Sequence, residues 1–469
     1  MPAELAAVSE LELTESMTRS EKRATSGLAA IFALRMLGMF LILPVFALYA
    51  EHLPGGANHT LVGLTLGMYG LTQALLMIPF GMASDRIGRK KVIISGLILF
   101  AIGSFVAASA SDIYWTIFGR AIQGAGAVSA AVTAMLADLT REEHRTKAMA
   151  VIGSSIGVTF AVSLVAGPAL NHLIGVPGIF ALTGVLALAA IWVVKVWIPD
   201  PADSHFHADA QANPAKLIDV LKNGQLVRLD FGIFALHAAQ MAMFVVVPVA
   251  LKNSGLAPAQ HWAVYLPVLL GSFVLMVPAI IYGEKRGKMK PIFVGAVALM
   301  LLAQLGLAFG IGYFWGIVWA LFAYFVAFNL LEASLPSLIS KLAPASAKGT
   351  AMGVYNTAQA LGLFTGGLVG GWLAQHHGFQ AVFIFCVVLM AAWLLASLSM
   401  QAPPAIKTRM FHVGVMPPDQ AALLKIQLAA VAGVVEAVVL AEEGVAMLKV
   451  SIKGWDEAGA RSLMPSPAA

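Results

Sequence analysis

One cysteine in 469 residues, and a charged fraction of only 11%, are the first things this sequence lacks. A single thiol, Cys386, excludes an intramolecular disulfide and any cluster of thiolates around a metal. No G-x-x-x-x-G-K-[ST] loop occurs, which removes the usual nucleotide-driven engine. No clustered His/Asp metal site and no nucleophile beside a base can be picked out, so no cofactor, no metal and no enzymatic reaction is expected. Charge is scarce as well: a soluble domain carries about a quarter charged residues, whereas this chain is 59% apolar with a mean hydropathy of +0.84. The bilayer is its solvent.

What is present is a series of twelve apolar runs, each long enough to cross about 30 Å of hydrocarbon as a helix. They span 24–50, 61–83, 91–109, 112–136, 148–171, 177–198, 228–251, 261–283, 290–309, 313–337, 349–373 and 379–400. Continuous apolar runs indicate helices; barrel strands would show short alternating segments. Residues 1–23 form a polar tail, and the first run is too long for a signal-peptide core, so it is expected to stay attached. Of 29 Lys and Arg, seventeen lie in or beside the even-numbered loops, three precede the first run and six follow the last. The odd-numbered loops hold only Lys252. This positive-inside pattern places both termini in the cytoplasm and explains the net charge of +5 without a nucleic-acid partner.

The runs repeat. TKAMAVIGSSIGV from Thr146 returns in outline as KGTAMGVYNTAQALG from Lys348, and the charged GEKRGKMK from Gly283 follows the eighth run much as GMASDRIGRKK follows the second. Two six-helix bundles, 24–198 and 227–401, related by an axis along the membrane normal, are the expected result. Between them lies a polar cytoplasmic linker, 199–226, with a short amphipathic stretch at Leu217 to Leu221. After QAPP the pattern changes to period two at Phe411, Val413 and Val415, then a helix with Leu424, Leu428 and Val431 on one face, then the strands VVEAVVL and VAMLKVSI around an EEG turn, and a last helix capped by Asp456. This small α+β domain, 408–464, has the order strand, helix, strand, strand, helix of a ferredoxin-like unit without its fourth strand.

The most concentrated charge in the chain is GMASDRIGRKKV, Gly81 to Val92. Gly81, Asp85, Arg86, Gly88, Arg89 and Lys90 fit G-x-x-x-D-R-x-G-R-K, which resembles the signature loop after helix 2 of the major facilitator superfamily of secondary transporters. LRMLGMFLILPVFALY from Leu34, YGLTQALLMIPFGMASDRIGRK from Tyr69, GRAIQGAGAVSAAV from Gly119 and FVAFNLLEASLPSLISK from Phe325 look like the YajR-type branch of that superfamily, which also carries a ferredoxin-like domain after helix 12. A carboxylate at Asp85 can accept backbone N–H groups at the positive start of a facing helix, and repeat symmetry makes Gly349-Thr350, at the start of the eleventh run, that partner. The resemblance implies the same contact and adds that Arg89 pairs with Asp138 at the end of helix 4. Gly81 would allow close helix approach and Gly88 the sharp turn. The expected device is a cytoplasmic latch, closed when the transporter opens outward.

Ionisable groups inside the membrane mark function or pairing, since an unpaired cation there costs at least about 2.5 kcal/mol. Arg35, Arg120, His237 and Glu332 are the candidates for proton coupling; for Arg120 that role is what the resemblance implies. Asp230 reads as a solvated or capping acid. Gly167-Pro168 resembles the antiporter motif of helix 5, but Asn171-His172 stands where the family has a glycine pair. Tyr69, Gln73, Gln123, Gln240, Asn329, Tyr355, Asn356 and Gln359 are candidate cavity groups, and aromatic rings with neutral amides suit an amphipathic or weakly cationic solute. The resulting expectation is an all-α membrane protein with a small cytoplasmic α+β domain. It would be a proton-coupled secondary transporter of the bacterial inner membrane that exports a small molecule by alternating access. The alternative is a transporter-like sensor that signals through the C-terminal domain. The sequence sets no oligomeric state.

Overall fold

The computed structural model describes residues 17–200, 214–344, 347–401, 406–442, 444–451 and 454–464; most of the expected N-terminal tail and nearly half of the linker lie outside them. The first half contains α1 (Arg19–Phe40), α2 (Phe46–Ala50), α3 (His59–Ile87), α4 (Arg89–Ala108), α5 (Ile113–Ala125), α6 (Ser129–Asp138) and the long α7 (Glu142–Val196). A short α8 (Leu217–Lys222), the amphipathic stretch of the linker, leads into α9 (Gly224–Asn253), α10 (Trp262–Arg286), α11 (Met289–Gly310), α12 (Phe314–Leu342), α13 (Lys348–His377) and α14 (Phe379–Leu398).

Local chemistry sets the breaks. Pro44 lies in the turn between α1 and α2, where a residue without an N–H is tolerated. At Gly126, between α5 and α6, a Cβ would run into the Gly96 carbonyl. Gly175, with φ 68°, interrupts α7 two residues before Pro177, so α7 holds the fifth and sixth apolar runs. Among the described residues nine helices are long and apolar enough to cross a membrane by length and composition, the segment 147–196 being one of them. The first run, in α1 and α2, and the eleventh, in glycine-rich α13, are not among the nine, so the count of twelve is carried by the sequence.

The two halves meet along α3 and α13. Gly362, Gly366 and Gly370 of α13 back onto α9, where an added Cβ would strike the backbone of Phe234, Ala238 and Ala242. On another face of α13, Gly367 and Gly371 lie against Gly63 and Gly67 of α3, and Gly70 meets the Ala360 carbonyl. Small residues let the two backbones touch, the usual basis of helix association in lipid. The same end of the molecule is tied by His59 N–H donating to Gln375 Oε1 at 2.8 Å and by an ion pair between Lys252 and Glu51 at 2.6 Å. The halves are therefore closed on each other where α3 begins and α13 ends.

At the opposite end, α1 opens with a capping box: Glu21 N–H donates to Thr18 Oγ1 at 3.2 Å and Thr18 N–H to Glu21 Oε2 at 2.7 Å. The same carboxylate takes the Arg141 backbone N–H at 2.8 Å and its guanidinium at 3.0 Å, tying the start of α1 to the loop before α7. Burial pushes the Glu21 carboxyl up, but the Arg141 and Thr18 donors outweigh it and hold it at about 2, against an ordinary 4.5. A lowered folded-state value means that the tie stabilises fully above about 4.5 and is lost as pH falls through about 2. Glu21→Gln should accordingly lower the thermal midpoint of the purified protein at pH 7. That deficit should shrink steadily as the buffer is taken below pH ~4, where the carboxyl of the unfolded chain takes up its proton while the folded one still resists; a deficit independent of pH would refute the assignment.

The C-terminal domain consists of β1 (Ile406–His412), α15 (Pro418–Ala429), β2 (Val434–Leu440), β3 (Val445–Ser451) and α16 (Glu457–Ser462). Its three antiparallel strands lie in the order β1-β3-β2. The alternation expected through Val415 ends sooner, because β1 stops at His412, although Val413 N–H still bonds the Gly444 carbonyl. Ala446, Leu448 and Val450 face Leu424 and Leu428 of α15, whereas Val445 and Met447 cluster with Met410 on the other side of the sheet. From that second side Lys449 donates to the carbonyl of Ala343, the C-cap of α12, and pairs with Glu436 at 2.9 Å. A cation at a helix C-terminus is electrostatically favoured. β1 also touches both α7 and α12, so the sheet spans the two halves.

Candidate functional site

The polar groups inside the membrane segregate by half. None of the first six runs contains an Asp or Glu apart from Asp112 at the mouth of the fourth, yet two arginines sit within them. The second half holds Asp230, Glu332 and His237 instead.

In the second half, α9, α12 and α13 bring His237, Glu332 and Gln359 together. His237 Nδ1 lies 3.2 Å from the Ile233 carbonyl and Nε2 lies 2.8 Å from Gln359 Nε2. These contacts assign Nδ1 as the protonated nitrogen and Nε2 as acceptor of the Gln359 amide. Glu332 stands 3.8 Å from His237 Nε2 through one carboxylate oxygen and 3.5 Å from Gln359 Nε2 through the other. Asn329, one turn before Glu332, donates to Ser272 Oγ at 2.8 Å. Gln240, one turn beyond His237, is fully buried with both amide atoms unpartnered among the described residues. Tyr355 is buried with its hydroxyl unpartnered among the described residues, and Asn356 is half-buried. Asp230 corrects the sequence expectation: it is buried, and neither carboxylate oxygen has a partner among the described residues.

In the first half, Arg35 of α1 and Arg120 of α5 converge on Tyr69 of α3, their guanidinium carbons 5.8 and 4.9 Å from the ring centre. Arg120 donates to Gln123 Oε1 at 2.7 Å, and Gln123 in turn to Ser104 Oγ at 2.7 Å; Arg35 donates to Ser129 Oγ. Gln73, one turn after Tyr69, is buried with its carbonyl oxygen unpartnered among the described residues. A row of aromatic rings, an aromatic wall, bridges the halves: Phe160 of α7 packs on Phe40 at 4.9 Å and on Phe328 of α12 at 5.3 Å, and Phe328 lies 5.9 Å from the His237 ring. Nothing in the sequence signals this wall, because a phenylalanine in an apolar run reads equally as lipid-facing. Thr18-x-x-Glu21 has the spacing of a capping box, a signal not drawn on above, whereas nothing in the sequence points to its tie to Arg141. Gly167 packs on the Leu41 carbonyl and Pro44, which assigns it to helix contact at the break of the first run.

The charged loop is also built in detail. Arg89 is buried and bonds Asp138 at 3.0 Å and Ser84 Oγ at 2.8 Å. Asp85, 42% exposed, pairs with Arg89 and not with the start of α13, where Gly349 and Thr350 are buried. The physical reason is the placement of the seam: the halves touch at the far end of α3, so nothing draws Asp85 across. Gly88, with φ 100°, makes the turn, and a Cβ on Gly81 would lie 3.3 Å from that of Ala130. Lys90 reaches Asp200 at 2.8 Å, and Arg86 is exposed.

Two glycine-seamed helical halves around a segregated polar core have counterparts among known proteins, and a sequence profile described as Major Facilitator Superfamily matches residues 28–367 and, in a second match, 229–417. The chain belongs to the Major Facilitator Superfamily. Within it, the inner membrane transport protein YajR of Escherichia coli K12 is 44% identical over 440 residues, covering 93% of this chain and 96% of that protein. The quinolone resistance protein NorA of Staphylococcus aureus is 24% identical and covers 79% of the chain and 95% of NorA. A solved structure of a bacterial homolog of the human lysosomal transporter Spinster superposes with a TM-score of 0.65 at 12% identity, over 82% of this chain and 97% of that one. The fold of this superfamily member is thus all-helical in the bilayer with a small α+β domain appended. It is a multi-pass membrane transporter and not an enzyme.

Proposed function

We propose that this transporter is driven by protons and exports a small molecule across the bacterial inner membrane, with both termini in the cytoplasm. The orientation follows from the basic even-numbered loops; export is suggested by the relation to NorA, a quinolone resistance protein. The reading is carried by the array of His237, Gln359 and Glu332. A proton arriving at His237 Nε2 turns that nitrogen from acceptor into donor, so Gln359 must present its carbonyl oxygen or withdraw, and Glu332 gains a cationic neighbour. Gln359 belongs to α13, the helix whose Gly367 and Gly371 close the outer seam. Protonation and closure thereby act on one helix. In the outward-open form Asp85 would leave Arg89 and receive the N–H groups at Gly349-Thr350, the latch that this outwardly closed form leaves undone.

The energetics suffice. One proton moving down about 100 mV supplies roughly 2.3 kcal/mol, and each pH unit adds about 1.4, enough for a solute gradient of several hundred-fold. The test is uptake of a broad solute panel into everted vesicles with and without a proton gradient. Glu332→Gln and His237→Gln should each abolish gradient-driven uptake while leaving exchange of labelled for unlabelled solute intact. Uptake that survives collapse of the gradient would overturn the coupling. Absence of flux for every solute would favour the sensor alternative, against which the transporter relatives already weigh.

A further inference from the structure

The first-half cluster has charge that nothing on its own side balances. Arg35 and Arg120 are 1% and 0% exposed, and each has two guanidinium nitrogens, Nε and Nη2, without a partner among the described residues. The Tyr69 hydroxyl, equally buried, has no partner among the described residues either. The partners these arginines do have, Ser129 Oγ and Gln123 Oε1, are neutral, and the first six runs offer no carboxylate inside the membrane. Two buried guanidiniums left with spare donors are costly, and spare N–H groups in forked geometry match the oxygens of a carboxylate or phosphate.

We infer that Arg35, Arg120 and Tyr69 form a binding site for an oxyanion, and that the transported solute is an organic anion whose carboxylate or phosphate group docks there. The inference deepens the transport reading above and rests on it. It replaces the weakly cationic solute suggested by the neutral amides alone, because burial of both arginines against one ring puts the strongest donors of the first half in one place. Gln73, one turn from Tyr69 with a carbonyl oxygen that has no partner among the described residues, adds an acceptor for a hydroxyl or amine elsewhere on the same solute. Opposite, the acids of the second half stay available for the proton, so an anion and a proton occupy separate halves and need not compete.

The test uses the full chain purified in a neutral detergent at constant ionic strength, with thermal midpoint as readout. Sodium benzoate and inorganic phosphate are the anionic probes, and benzylamine hydrochloride is the matched cation. At least one anion should raise the midpoint saturably. Arg35→Gln and Arg120→Gln should each weaken its apparent affinity about tenfold or more, the loss expected for one charge-assisted hydrogen bond. Tyr69→Phe, which keeps the ring, should weaken it less. Should the glutamine variants fail to fold, Arg35→Lys and Arg120→Lys keep the charge but lose the fork and should still reduce affinity. No anion response in the native protein, a response equal in the arginine variants, or arginine-dependent stabilisation by benzylamine would each overturn the site. Anion binding without gradient-driven flux would count against proton drive and leave the site standing, whereas flux without an arginine-dependent anion response would do the reverse.

Discussion

Replacing Gly63 by valine should hold the transporter open at the end where α3 begins and cut flux about fivefold or more while the protein still folds. In the closed form any Cβ at this position meets the Gly367 carbonyl and the Gly371 backbone. Backbone cannot swing aside as the tip of a flexible side chain can, so α3 and α13 must separate. Overpacking of this kind costs about 1–3 kcal/mol, which shifts a two-state equilibrium by roughly 5- to 150-fold. Once the seam parts the methyls stand free, so the penalty falls on the closed state alone. Spin labels at Ala57 and His377, both exposed and near the seam, measure this directly; the native Cys386 is buried and leaves little background. The interlabel distance should lengthen in Gly63→Val, less in Gly63→Ala. An unchanged distribution with normal flux would contradict the seam as the outer gate.

The second large effect concerns the charged loop, and it falls on a different residue from the one its motif draws attention to. Asp138→Asn removes a carboxylate with a fully buried side chain from an arginine that is itself 2% exposed. Breaking one side of a buried pair is expected to cost about 3–5 kcal/mol. Asp85→Asn removes a carboxylate that is 42% exposed, where pairing contributes about 0–1 kcal/mol. Thermal midpoints of the two purified variants should therefore differ sharply, with Asp138→Asn the less stable and Asp85→Asn near native. Asp85→Asn should instead change the balance of inward-open and outward-open forms, since its proposed partner lies on the other half. Equal destabilisation by the two variants would show that Arg89 leans on both acids alike.

These contrasts indicate what the sequence could convey. The bilayer setting, the halves and the ferredoxin-like order of the tail were legible because they depend on run length, charge asymmetry and period, which survive without coordinates. VVEAVVL is β2 residue for residue, and Asp456 caps the last helix as expected, its carboxylate accepting the Gly459 N–H at 2.9 Å. The candidate residues inside the membrane could be picked out one by one: an arginine or glutamate in an apolar run announces itself. Their company was not. That Gln359 lies between His237 and Glu332, or that two arginines share Tyr69, depends on the rotation of α1, α3, α5, α9, α12 and α13 about their axes. No periodicity fixes that angle when a helix is apolar all round. Asp230 was misjudged for a related reason, since position near a helix mouth does not reveal what packs over it. The glycines of α13 gave a partial signal: the four-residue spacing of Gly362, Gly366 and Gly370 marks the contact with α9, while Gly367 and Gly371 repeat that spacing one residue out of step, on the face toward α3.

The sheet of the C-terminal domain has its central strand covered on both sides, by α15 on one and by neighbours near the end of α12 on the other. A recombinant fragment beginning near Ile406 would bare Met410, Val445 and Met447 to water together with a lysine deprived of its carbonyl acceptor. Such a fragment is a poor candidate for isolated crystallisation or for spectroscopy at high concentration. Polar replacements at those three methionine and valine positions would be the natural first step toward a tractable soluble version.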